Sequence, residues 1–65
     1  MKQISLRAAR IDAGLTQKQA AEQIGVTPLT LQNWEHGIFE PRYSHLKKAC
    51  EVYGREPEDI FLPQS

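Results

Sequence analysis

Residues 17–34 read Gln-Lys-Gln-Ala-Ala-Glu-Gln-Ile-Gly-Val-Thr-Pro-Leu-Thr-Leu-Gln-Asn-Trp, and this stretch decides the fold. Two short helical patterns meet at Gly25, the residue type that ends a helix in a left-handed conformation at low steric cost. Ala21 lies four positions before that glycine and Leu31 six after it. A small residue lets one helix cross closely over the other, and the outer face of the second helix stays free for a partner.

Both helix starts are marked. Thr16 and Gln19 have the spacing of a capping box, in which the threonine oxygen accepts from the Gln19 backbone and the glutamine reaches back. Thr27 is a favourable N-cap, and Pro28 follows at the first helical position, where a missing N–H costs nothing. Val26 and Leu31 flank the start as a hydrophobic staple. Within this helix Leu31 and Trp34 point inward. Pro28, Leu29, Gln32, Asn33 and His36 fall on the outer face or its margins. That face is nearly uncharged.

Outward from this pair, Leu6, Ala9 and Arg10 share one face of a helix that stops before Gly14. A fourth helix runs from about Arg42 or Tyr43 to Tyr53, with Leu46, Ala49, Cys50 and Tyr53 inward and Gly54 at its end. Pro57 opens a final short helical turn ending in Ile60 and Phe61, and no alternation marks a strand. The reading is all-α, a compact bundle of five short helices in one domain over 1–65, with the central helix pair at about 16–36. At 65 residues the chain is near the lower end of what one hydrophobic core holds together.

The formal net charge is zero, but it is unevenly spread. Residues 1–50 carry seven basic side chains against four acidic ones, and the last fifteen carry four acids against Arg55 alone. Such a body offers only weak non-specific attraction to a polyanion. A single cysteine, Cys50, excludes an internal disulfide framework and suits a reducing cytoplasm. No apolar run approaches the roughly 20 residues of a membrane span. His36 and His45 lack companions at metal-ligand spacing, and there is neither a nucleophile–base pair nor a phosphate loop. The expectation is a cytoplasmic, non-enzymatic protein with no metal, cofactor, membrane or small-molecule partner. The helix pair itself has the geometry of a helix-turn-helix, whose second helix enters the major groove of double-stranded DNA.

The run Leu6…Arg10…Gly14-Leu15-Thr16-Gln17…Ala20-Ala21…Ile24-Gly25-Val26-Thr27…Leu31…Trp34-Glu35…Gly37…Pro41…Leu46…Cys50…Gly54…Ile60-Phe61 resembles the phage lambda repressor and Cro family, the xenobiotic-response-element type of helix-turn-helix. The resemblance covers nearly the whole chain. It implies a sequence-specific DNA-binding repressor of phage, plasmid or mobile-element type, acting as a homodimer that is weak until DNA is bound. It places Thr16 and Gln17 against DNA phosphates; Arg42 departs from the family pattern, standing where a capping serine or threonine is common, and offers a further phosphate contact. Thr27, Pro28, Leu29, Gln32, Asn33 and His36 would face or flank the bases, and Arg10 and Glu35 would form a structural ion pair. Ala9, Ala20 and Ala49 stand where the family prefers larger aliphatics, which predicts a thinner core compensated by Trp34, Tyr43, Tyr53 and Phe61.

Chemistry narrows the reading face. Asn33 is able to pair bidentately with adenine, and Gln32 could do likewise if angled into the groove. Pro28 and Leu29 only press on a thymine methyl or exclude wrong bases, and no arginine is present to grip guanine. A half-site rich in A·T is therefore expected. Ile38 and Phe39, after Gly37, either fold back on the core or form a sticky patch. That pair, together with Leu29 and the zero charge, supports an alternative class: a protein-interaction module, antitoxin-like or anti-repressor-like, using the same bundle.

Overall fold

The structure, a computed structural model, describes residues 3–62. Side-chain oxygens start three of its helices. Ser5 accepts from the Ala8 N–H at 3.0 Å and opens α1, Leu6–Asp12. Thr16 opens α2, Gln17–Ile24, with both halves of the capping box made: its hydroxyl accepts from the Gln19 N–H at 3.1 Å, and Gln19 Oε1 accepts from the Thr16 N–H at 3.0 Å. Thr27 opens α3, Pro28–Glu35, by accepting from the Thr30 N–H at 3.2 Å. Each cap satisfies a donor that the helix leaves orphaned, worth about 1 kcal/mol. By contrast α4, Tyr43–Tyr53, starts at Arg42 with no side-chain cap.

The turn between α2 and α3 depends on Gly25, which has φ of +93° and donates to the Ala21 carbonyl at 2.8 Å. A Cβ added there would meet nothing within 4 Å. Conformation rather than space therefore requires glycine, and a side chain at this angle costs about 1–2 kcal/mol.

The helices pack around Leu6, Ala9, Ala20, Ala21, Ile24, Leu31, Trp34, Ala49, Cys50, Tyr53 and Ile60, all buried. Ala20 and Ala21 are fully covered, so α2 lies close against both α3 and α4. No helix among the described residues is long and apolar enough to cross a membrane.

Among the described residues four α-helices form, not five. Pro57–Asp59 is a single 3-10 turn, after which Ile60–Phe61 becomes a strand, β2, paired in parallel with β1, Ile4–Ser5. The register sets Ile4 opposite Ile60 and Ser5 opposite Phe61. Gln3 reinforces the junction by donating to the Glu58 carbonyl at 3.0 Å. Strands of two residues are too short to show alternation, so no periodicity announced them. Ile60 is extended, the conformation its branched side chain favours, and it is buried against the core.

The aromatic filling of the core is also smaller than expected. Trp34 and Tyr53 are buried, but Tyr43 is 68% exposed and Phe61 47%. Tyr43 sits at the uncapped start of α4, and Phe61 alternates outward from buried Ile60. Leu46, expected inward, is half-buried at the core margin.

Tyr53 carries an internal cost. Its hydroxyl is buried with no hydrogen-bond partner among the described residues. Burial first, then the Glu35 carboxylate, push its ionisation up from 10.0 to about 12, against a lowering by Arg10. The neutral phenol is the form that folds. The unfolded chain ionises first, so this contribution is complete below pH 10 and is lost as pH rises towards 12. Tyr53→Phe removes both the orphaned hydroxyl and the titration. Denaturant unfolding at pH 7 should show the variant as stable as the wild type or more stable by about 1 kcal/mol. Its advantage should widen between pH 10 and 12; a variant clearly less stable at both ends contradicts this account.

Candidate nucleic-acid interface

Three elements converge on one carboxylate. Glu35, the last residue of α3, has a fully buried side chain. Arg10 of α1 donates to it twice, from Nε to Oε2 at 2.8 Å and from Nη2 to Oε1 at 3.2 Å. The remaining guanidinium nitrogen, Nη1, donates to the Leu15 carbonyl at 2.9 Å, in the turn before α2. Gln17 of α2 completes the set, with Nε2 donating to Glu35 Oε1 at 3.0 Å. Arg10 is itself only 8% exposed. A planar fork with several donors satisfies a buried carboxylate better than a point charge does. The group thus fixes α1, α2 and α3 against one another.

With its inner side held this way, α3 turns Pro28, Leu29, Gln32 and His36 outward, all exposed. Leu29 is 64% exposed. Asn33 is half-buried at the edge of that face, and its backbone carbonyl accepts from the Ile38 N–H at 2.9 Å, so the following loop folds back over the helix end. His36 is the C-cap, donating from its backbone to the Gln32 carbonyl at 3.0 Å. Trp34 faces the opposite way, its ring 5.4 Å from that of His45 on α4. It is a core residue and has no part in an outer site.

The other candidates divide. The Thr27 hydroxyl is committed to the cap and to the Thr30 hydroxyl, 2.8 Å away. The Thr16 hydroxyl and backbone N–H are both used by the capping box. That leaves the Gln17 and Lys18 N–H groups, in the first turn of α2, without intrahelical acceptors. Arg42 is exposed at the start of α4 and takes no part in the Glu35 network. Ile38 and Phe39 do not fold back on the core, being 57% and 63% exposed.

The bond from Gln17 to Glu35 had no signal in the sequence. The two residues are 18 positions apart, and each also has an unrelated role at a helix end. Cys50 is buried, and burial pushes its thiol up, with the Glu56 and Asp59 carboxylates adding to the effect, so the reactive thiolate is disfavoured.

Residues 6–60 match the family model described as helix-turn-helix. The chain belongs to the helix-turn-helix family. A curated relative from Methanothermobacter thermautotrophicus, an uncharacterized HTH-type transcriptional regulator, is 38% identical over 58 residues, covering 88% of this chain and 84% of the relative. No solved structure gives a significant match.

In this helix-turn-helix chain the buried carboxylate sets a steep stability condition. A domain of 65 residues is stable by about 3–10 kcal/mol in total. Removing one member of a buried ion pair costs about 3–5 kcal/mol, because the other charge is left unpaired. Arg10→Met should therefore leave the chain largely unfolded or barely stable by circular dichroism. The double variant Arg10→Met/Glu35→Leu should regain a cooperative melt near that of the wild type. A single variant as stable as the double one would show that the pair carries no such constraint.

Proposed function

We propose that this helix-turn-helix chain binds double-stranded DNA sequence-specifically and acts as a small transcriptional repressor, of the type carried by phages, plasmids and mobile elements. The observation that carries the reading is the exposed, uncharged outer face of α3, held at a fixed setting by the buried Glu35 network. Laid in the major groove, that face presents Asn33 to adenine, with Gln32 and His36 beside it and Pro28 and Leu29 against thymine methyls. Thr27 then acts by starting the helix that reads. Phosphates are held at the start of α2 by Gln17 and the Thr16 turn, and by Arg42. Few cations take part, so affinity falls less steeply with salt than for a strongly basic protein.

The repressor acts as a homodimer. The longest dimension of the described residues is 30 Å, whereas two half-sites on successive turns of the groove lie about 34 Å apart. A second copy is needed to reach the second half-site. A shallow cleft of about 440 Å³ lined by Tyr43, Leu46, Glu56, Pro57 and Glu58 supports a contact between the start of α4 and the 3-10 turn.

One observation favours a second reading. Leu29, Ile38 and Phe39 expose apolar surface near the same end of the molecule that α3 and its following loop occupy. A protein-interaction module of antitoxin or anti-repressor type would use such a surface.

Selection from random duplexes, followed by mobility shift at low salt, separates the two. The repressor reading expects an A·T-rich consensus at the contacted steps. Asn33→Ala should lose about 1–3 kcal/mol on that site and relax preference at one position. A G-rich consensus counts against the assigned reading residues, and the absence of any shift at low salt favours the interaction module.

A further inference from the structure

Gln17 is the least expected member of the Glu35 network. It is the first residue of α2, half-buried, and its partner is the last residue of α3. Arg10 already neutralises Glu35, so the amide is not needed for charge balance. What it adds is a direct link from the start of α2 to the end of the helix whose outer face is free. A carboxamide nitrogen carries two hydrogens. One is given to Glu35 Oε1 at 3.0 Å. The second is not used by that carboxylate, and Gln17 itself stands in the first turn of α2, where its own N–H and that of Lys18 have no intrahelical acceptor.

We propose that Gln17 is a positioning residue for the reading helix, acting through Glu35. One hydrogen of its amide sets α3 against α2, and the other is left for a DNA phosphate. A phosphate seated there is then held in a fixed relation to the bases that α3 reads. This inference rests on the DNA-binding reading above and adds a distinct consequence to it. A residue that only touches phosphate carries no sequence information, so its loss weakens binding to every duplex alike. A residue that also sets the reading helix changes the preference between duplexes.

The experiment compares two affinities in each variant: one for a duplex carrying the consensus that the wild type selects from a random library, and one for a scrambled duplex. Gln17→Met keeps the side-chain length and removes both hydrogens. Its ratio of consensus to scrambled affinity should fall about tenfold, the size of one lost base contact. Gln17→Lys keeps a donor for Glu35 and should restore the ratio while tightening both duplexes. A loss of overall stability lowers both affinities equally and leaves the ratio unmoved. Equal weakening on both duplexes, or no change on either, overturns the proposal.

If the wild type itself shows no preference between duplexes, the DNA-binding reading has failed, and the link is decided without DNA. Amide exchange of Trp34 and Glu35, in the last turn of α3, should then be severalfold faster in Gln17→Met than in the wild type. Unchanged exchange overturns the proposal on that arm as well.

Discussion

A carboxylate without solvent contact must find all its hydrogen bonds inside the protein, and Glu35 finds them on two other helices. Arg10 reaches it from α1 and Gln17 from the start of α2, while Glu35 itself closes α3. Apolar packing tolerates small rotations of one helix on another. A bidentate guanidinium–carboxylate contact does not, because its donors and acceptors are fixed in a plane. In a core this small, with Ala9, Ala20, Ala21 and Ala49 among its fully buried residues, the polar group supplies the orientation that interlocking large side chains would otherwise give. The orientation of the outer face of α3 follows from that inner contact.

The terminal strands serve the same constraint from the other side. Ile60 is buried and pairs with Ile4, and Ser5, opposite Phe61, is also the residue that caps α1. The pairing of β1 with β2 thus fixes where α1 begins, and with it the position of Arg10, five residues on. The ion pair of Arg55 with Asp12 ties the end of α1 to the segment after α4. With Asp12 exposed and Arg55 partly so, that pair contributes little energy by itself.

Most of the elements were legible in the sequence because their signals are local. A cap, a capping box, a proline at the first helical position and a left-handed glycine all act within four residues, and α2 and α3 start and stop where those signals stand. The outward set on α3 follows likewise from a 3.6-residue period. Illegible were the features that need a distant partner. The strand pair joins residues 56 positions apart, and two-residue strands leave no pattern. Tyr43 and Phe61 looked like core aromatics by type, but one lies at a helix start and the other alternates away from Ile60, so neither is covered.

The sequence by itself determined the helical order, the family pattern and the identity of the side chains on the free face of α3, since each depends on neighbours along the chain. Only the tertiary structure decided that Ile38 and Phe39 stay outside, that the Tyr53 hydroxyl has no partner among the described residues, and that Gln17 bonds to Glu35. Those outcomes depend on which groups the fold brings within about 3 Å of one another. No local rule carries that distance.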